Sequence, residues 1–229
     1  MEKKDGKTDG SGEQKKQSAC RIGVTGTIGS GKSEVGKILT GQGIPVLDVD
    51  KVVHVLLDSD SDVQKKIREH FGSEFLKENA DGTATIDRVK LGKLVFADKD
   101  ARKELEKIVH PAVLVYSEKW IEEQRTRVIA LLIPLLFEAS RAKSFDQIWT
   151  VTCDEHVLRD RLKARNGLSD ADIDRRLAAQ LSQEEKASLA HSIIDNSGTI
   201  DETTAQVLSL LMEIRLSLEE GTCAVASTV

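Results

Sequence analysis

Eight consecutive residues constrain this chain more than any others: Gly26-Thr-Ile-Gly-Ser-Gly-Lys32-Ser33 follows the phosphate-loop pattern G-x-x-x-x-G-K-[ST]. A short apolar run, residues 21–25, precedes the loop, and a helix-like stretch, residues 34–40, follows it. That context supplies the physics. A strand carries the loop to the C-terminal edge of a sheet, and the open N–H groups and dipole of the next helix converge on an anion. Gly26, Gly29 and Gly31 allow close approaches that a Cβ would obstruct. Lys32 can reach the β- and γ-phosphates, and the Ser33 hydroxyl is the candidate Mg²⁺ ligand. The candidate contacts to a nucleoside triphosphate are Gly26, Thr27, Ile28, Gly29, Ser30, Gly31, Lys32, Ser33 and Glu34.

Five apolar segments have the composition of strands in a parallel sheet: residues 21–25, 44–49, 127–133, 147–152 and 191–194. Helical patterns separate most of them, as an α/β fold requires. About 75 residues lie between the second and third strands, far more than one crossover helix needs, so this interval holds an inserted subdomain. The insert reads as helices. Ser61 is placed to cap a helix running to His70 with Gly72 as its stop, Asp81-Gly82 reads as a turn, and Asp87 caps a helix through Phe96. A further helix covers residues 101–109, and Pro111 suits the first turn of another, leaving His110 beside unsatisfied N–H groups. A second helical excursion lies between the fourth and fifth strands. It holds Ser169-x-x-Asp172 and Ser182-x-x-Glu185, both capping-box patterns, with Gly167 as a stop before them, and Thr199-x-x-Glu202 opens a last helix.

The expected fold class is thus α/β, a phosphate-loop protein with a five-stranded parallel core, a helical insert and a helical lid. The nucleotide-binding core comprises residues 20–50, 127–153 and 190–218, the insert 51–126 and the lid 154–189. Residues 1–19 form a polar tail expected to be disordered, and residues 219–229 a loose C-terminal end.

Composition narrows the class. The net charge of −5, with no basic patch interleaved with aromatics, gives no support to nucleic-acid binding. The longest apolar run, residues 128–137, contains Pro134 and is too short to span a bilayer. Three widely spaced cysteines, Cys20, Cys153 and Cys223, have neither disulfide-framework nor metal-ligand spacing. They fit a reducing compartment, with the cytoplasm as the expected location.

Further candidates lie downstream. The second strand ends Asp48-Val-Asp50, and strand periodicity puts both acids on one face at the edge nearest the phosphate loop. A carboxylate there can accept the proton of an attacking hydroxyl, or the acids can simply cap the next helix. His54 stands one helical turn beyond Asp50, as a substrate contact or a packing residue. Ile133 and Pro134 occupy the place where many phosphate-loop proteins carry a metal-orienting Asp, so Mg²⁺ falls to Ser33, phosphates, water and Asp48 or Asp50. Glu138 is a candidate substrate contact or a surface acid. Arg161 and Arg165, four apart on one helix face, could close over a triphosphate, with Arg175 and Arg176 as weaker candidates. A guanine-reading N-K-x-D is absent from the sequence, so a GTPase is disfavoured relative to a small-molecule kinase.

These residues resemble the dephospho-CoA kinase family. The likeness lies in Thr25-Gly-Thr-Ile-Gly-Ser-Gly-Lys-Ser33, Gly43-Ile-Pro-Val-Leu-Asp-Val-Asp50, Ile86-Asp-Arg88, Leu91-Gly92, Val95-Phe96, Leu105-Glu106 and His110-Pro111. It resumes in Pro134-Leu-Leu-Phe-Glu138, Arg161-Leu-x-x-Arg165, Gln180 and Ile194-Asp-Asn-Ser-Gly198, and spans about residues 20–215. The resemblance implies ATP-dependent, Mg²⁺-assisted phosphorylation of the ribose 3′-hydroxyl of dephospho-CoA, the last step of CoA synthesis. It implies Asp50 as base, Lys32 and Arg165 at the transferred phosphoryl group, and Asn196 and Gly198 beside the adenine. The acceptor would be held by Asp48, Asp50, His54, Arg88, His110 and Glu138. Ile133 departs from the Asp that many members carry before Pro-Leu-Leu. The implied partner is a small molecule, with neither nucleic acid nor membrane, on a monomer or weak homo-oligomer. Two alternatives stay open at this point: a kinase for another small acceptor such as a nucleoside monophosphate, and a non-catalytic nucleotide-binding regulator.

Overall fold

A computed structural model describes residues 19–78 and 84–220 of the chain. Five strands form a parallel sheet in the order β2-β5-β1-β6-β7. They are β1 (Cys20–Gly26), β2 (Val46–Asp48), β5 (Val128–Leu132), β6 (Gln147–Thr152) and β7 (Ser192–Asp195). The register pairs Ile22 with Ala130 on one side and with Gln147 on the other.

Every residue of β5 is buried, the mark of a strand covered on both faces. Its side chains alternate between two cores. Ile129 and Leu131 pack with the insert, against Val52, Leu56, Ile67, Leu91 and Val113. Ala130 and Leu132 face the other way with Ile22, Val24, Val35, Leu39, Val207 and Leu211, from β1 and the helices α1 (Lys32–Gly41) and α9 (Ile200–Glu219). A smaller cluster of Cys153, Leu158, Leu162 and Ile173 holds together α6 (Glu155–Asn166) and α7 (Asp170–Leu177). Arg159 of α6 reinforces that pair by bonding Glu155 and Asp174, each at 2.7 Å.

The insert contains α2 (Val49–Ser59), α3 (Ser61–Phe71), α4 (Arg88–Ala97) and α5 (Lys99–Glu123). Its sequence also yields something not expected, an antiparallel pair of three-residue strands, β3 (Leu76–Glu78) and β4 (Ala84–Ile86), with Leu76 opposite Ile86. Three residues are too few for an alternating pattern to stand out. The turn expected at Asp81-Gly82 lies outside the described residues, as do residues 1–18 and 221–229 of the two tails.

Capping residues set most helix starts. Asp87 accepts from Lys90 N at 3.0 Å as expected, whereas α3 is capped by Asp60, one residue before Ser61, through Val63 N at 2.9 Å. Capping boxes form at Ser182–Glu185, opening α8 (Gln183–Leu189), and at Thr199–Glu202. At Ser169 the hydroxyl accepts from Asp172 N and donates to the Asp172 carboxylate.

The expectation that Pro111 begins a helix is overturned. A single helix, α5, runs from its Asp98 cap straight through Pro111. The proline removes one internal hydrogen bond, but continuation buries Val109, Val113 and Ser117 against the core. His110 therefore sits in mid-helix, exposed, and does not adjoin open N–H groups. Among the described residues, no helix is long and apolar enough to cross a membrane.

Candidate active site

Residues 26–33 link β1 to α1 at the C-terminal edge of the sheet. Gly31 adopts φ 103°, and a Cβ there would collide with the Asn196 amide. Gly26, at φ 147°, leaves equally little room beside the carbonyl of Val151. Gly31 is also the N-cap of α1 and offers the helix start no side-chain bond. Lys32 donates to the carbonyls of Gly26 at 2.8 Å and Thr27 at 2.9 Å. Burial pushes its pKa down to about 8, with Lys186 and Arg165 adding repulsion while Asp50 and Asp48 oppose the shift.

Asp48 and Asp50 converge on this lysine, but by a different route from the one strand periodicity anticipated. β2 ends at Asp48, and Asp50 lies in the first turn of α2. Asp48 holds the N-cap position without making a side-chain cap bond, and lies 3.5 Å from Lys51. Burial, reinforced by the neighbouring Asp48 charge, pushes the Asp50 carboxyl above its ordinary value. His54 is exposed on α2, near enough for its charge to be felt at Asp50.

A cavity of about 900 Å³ opens over the loop. Ile28, Gly29, Gly31, Lys32, Ser33 and Glu34 line one side, Asp50 and Pro134 another, and Arg161, Arg165 and Gln180 a third, with Asn196 and Gly198 beside the loop. Glu34, in the first turn of α1, pairs with Lys37 at 2.8 Å. Three buried polar atoms around this space have no hydrogen-bond partner: Thr27 Oγ1, Ser30 Oγ and one terminal nitrogen of Arg161. Orphaned buried donors are costly, and the one that lines the cavity, on Arg161, fits an anionic ligand. Among the described residues, no group of three or more His, Cys, Asp or Glu is arranged to hold a metal ion. A divalent cation would therefore draw on Ser33 and on oxygens of the nucleotide, with Asp48 and Asp50 nearby.

Other candidates are placed differently. Arg161 donates to the carbonyl of Asn196 at 3.0 Å. The Asn196 side chain is spent on the protein itself: Nδ2 donates to Ser30 O at 2.8 Å, and Oδ1 accepts from Thr203 at 2.9 Å. Arg88 is outside the cavity, paired with Asp58 at 3.5 Å, in a separate shallow groove shared with Lys93 and Arg175. Arg175 itself pairs with Asp172. Glu138 is neither a bare surface acid nor a lining residue. Its Oε1 accepts from Lys186 Nζ at 2.7 Å and from Leu181 N at 2.9 Å. Burial raises the Glu138 pKa, but the Lys186 bond and the backbone donors outweigh it and hold the carboxyl low.

Sequence reasoning passed over Lys186, which is wholly buried, and over the roles of Gln180 and Gln183. Gln180 accepts from Ile28 N of the phosphate loop at 3.2 Å, and Gln183 bonds both N and O of Cys153 at 2.8 Å. Lys186 lies in a charged run, Gln183-Glu-Glu-Lys186, that reads like any solvated helix.

The sequence model of the dephospho-CoA kinase family matches residues 20–202. The chain belongs to that family. A dephospho-CoA kinase of Symbiobacterium thermophilum is 41% identical over 189 residues, covering 81% of this chain and 77% of the relative. The solved dephospho-CoA kinase of Campylobacter jejuni superposes with a TM-score of 0.64 at 27% identity, over 86% of this chain and 98% of that one. A solved Thermus thermophilus protein gives a TM-score of 0.73 at 30% identity, over 85% and 97% respectively. The expectation of an α/β phosphate-loop kinase with a five-stranded parallel core is met.

Proposed function

We propose that this protein transfers the γ-phosphoryl group of ATP to the ribose 3′-hydroxyl of dephospho-CoA, giving ADP and CoA. The observation that carries the reading is a cavity-lining carboxyl of raised pKa, Asp50, whose charge is felt at the phosphate-loop lysine. Phosphoryl transfer needs positioning and charge stabilisation more than covalent chemistry. Asp50 orients the attacking hydroxyl and accepts its proton. Its raised pKa brings it nearer to neutrality, where a general base works best. Lys32 exchanges its two carbonyl partners for phosphate oxygens. Arg165, with Arg161, neutralises charge from the lid side. Mg²⁺, bound through the Ser33 hydroxyl and the nucleotide, supplies charge neutralisation at the phosphates.

The acceptor reaches Asp50 from the insert side, where His54 is nearest, with Arg88 and His110 as further exposed contacts. Asp48 keeps Asp50 basic rather than binding the acceptor directly. Glu138 contributes through its bond to Lys186. The setting is cytoplasmic, and the working unit a monomer or weak homo-oligomer.

The test is ADP release with ATP, Mg²⁺ and dephospho-CoA, with adenosine and AMP as comparison acceptors. CoA formation from dephospho-CoA alone is expected. Turnover with another acceptor instead would replace the substrate assignment, and ATP binding without turnover would leave only a nucleotide-binding protein.

A further inference from the structure

Among the described residues, Lys186 is the one buried ammonium that the reaction as derived above does not use. It is 0% exposed, on α8, and spends its protons on two acceptors. One is the carboxylate of Glu138 at 2.7 Å, the other the carbonyl of Pro134 at 2.9 Å. Pro134 lines the cavity, directly after β5, and the Thr25 hydroxyl at the end of β1 donates to the same carbonyl at 3.2 Å. Lys186 thus grips both ends of the 134–138 turn, whose first residue lines the cavity.

The same few residues also carry the lid. The chain leaves the sheet at Cys153, passes through α6 and α7, and returns at Gln180. Gln183 ties this return to the point of departure by bonding both backbone groups of Cys153. Leu181 N is held by Glu138, and Gln180 by Ile28 of the phosphate loop. Residues 180–186 therefore form a block in which the lid's two ends, the cavity floor and the loop meet. Lys186 is its only buried charge, and that charge is felt at Lys32.

We propose that Lys186 is a positioning residue for phosphoryl transfer, locking the return of the lid to the floor of the cavity through Glu138 and Pro134. It touches no reacting atom. Its effect is to fix where Arg161 and Arg165 stand relative to the Asp50 side of the site. A lysine serves because a long apolar stem can cross the core while its tip makes several bonds at once. The role rests on the kinase reading, but the lock itself can be examined without the acceptor.

Removing Glu138 alone would leave the buried Lys186 ammonium without its carboxylate and destabilise the fold for that reason alone. The experiment therefore centres on the double variant Lys186→Met with Glu138→Gln, which buries no unpaired charge, beside Lys186→Met alone. Thermal melts, nucleotide affinity and turnover are measured for each. The expected result is a double variant that melts close to the wild type and binds ATP with nearly unchanged affinity. Its kcat, however, falls on the order of 10²-fold, the scale of a small misplacement of catalytic groups. Wild-type kcat in the double variant would overturn the proposal and leave Lys186 a structural residue. A loss of ATP affinity that accounts for the whole fall would also overturn it, because the damage would then lie in the loop. If the wild type makes no CoA, the acceptor assignment fails alone, and the lock is scored on ATP hydrolysis by water in the same proteins.

Discussion

Asn196 Nδ2 donates to the carbonyl of Ser30 at 2.8 Å, joining residues 166 positions apart. The bond is buried, and Thr203 of α9 fixes the other end of the amide at 2.9 Å. The phosphate loop is therefore braced from behind by the strand–helix turn that follows β7. Asn196 belongs to the segment that the family resemblance placed beside adenine, yet its side chain serves the loop, and its backbone N–H and carbonyl are engaged by Thr152 and Arg161.

Replacing Asn196 by Ala should strip the brace from a buried carbonyl. The expected loss of stability is about 1–3 kcal/mol, the cost of one unsatisfied buried polar group. Denaturant unfolding checks this, and nucleotide titration should show weaker ATP binding in the same variant. Full stability with normal affinity would mean that the loop holds its shape unaided.

Gly31→Ala tests the contact from the other side. At φ 103° an alanine is strained whatever the space, and its Cβ would strike the Asn196 amide. ATP binding should be nearly abolished while the sheet core still forms, as read by titration and circular dichroism. Retained affinity would show that the loop can move away from Asn196 at little cost.

Asp50→Asn should leave ATP affinity intact and lower kcat by about 10²–10⁴, the range of general-base contributions. A pH profile gives a finer test. Asp50 must be ionised to act, so kcat/KM falls as pH drops through its raised pKa, placing the acid limb above the usual carboxylate range. Asp48→Asn removes a like charge, so the limb should move to lower pH. A limb that stays put in that variant would sever the two acids.

Lys32 offers a proton count. Burial brings its pKa to about 8 in the free protein, and a bound triphosphate, being anionic, must raise it. ATP binding should therefore take up protons near and above pH 8, and little below pH 7, from this group. Calorimetry in buffers of different ionisation enthalpy measures the uptake, with Lys32→Met as the reference that removes it. Equal uptake in both proteins would contradict a titrating Lys32.

The phosphate loop, the sheet strands around it and the caps at Asp87, Ser182 and Thr199 were legible because each rests on rules acting over a few residues. Turn glycines, alternation and side-chain bonds to the nearest N–H groups need no distant partner. The same local logic failed where distance mattered. Pro111 looked like a helix start because its cost is local, whereas the burial of Val109 and Val113 that carries α5 through it is contributed by the rest of the core. Asp48 and Asp50 looked like neighbours on a strand, but β2 is only three residues long and α2 begins between them.

The sequence by itself determined the class of chemistry. Gly26 through Ser33, set between a strand and a helix, specify a phosphate cradle from backbone geometry alone. Tertiary structure decided which charges act together. Lys186 and Glu138 are 48 residues apart, the first in a charged run and the second directly after the apolar run 128–137, and only packing α8 against the sheet buries Lys186 and brings the two together. The Asp50 carboxyl likewise shifts upward only once the fold partly desolvates it and sets it beside Asp48, against the opposing pull of Lys32. Desolvation is a property of the assembled whole, and no stretch of chain carries it alone.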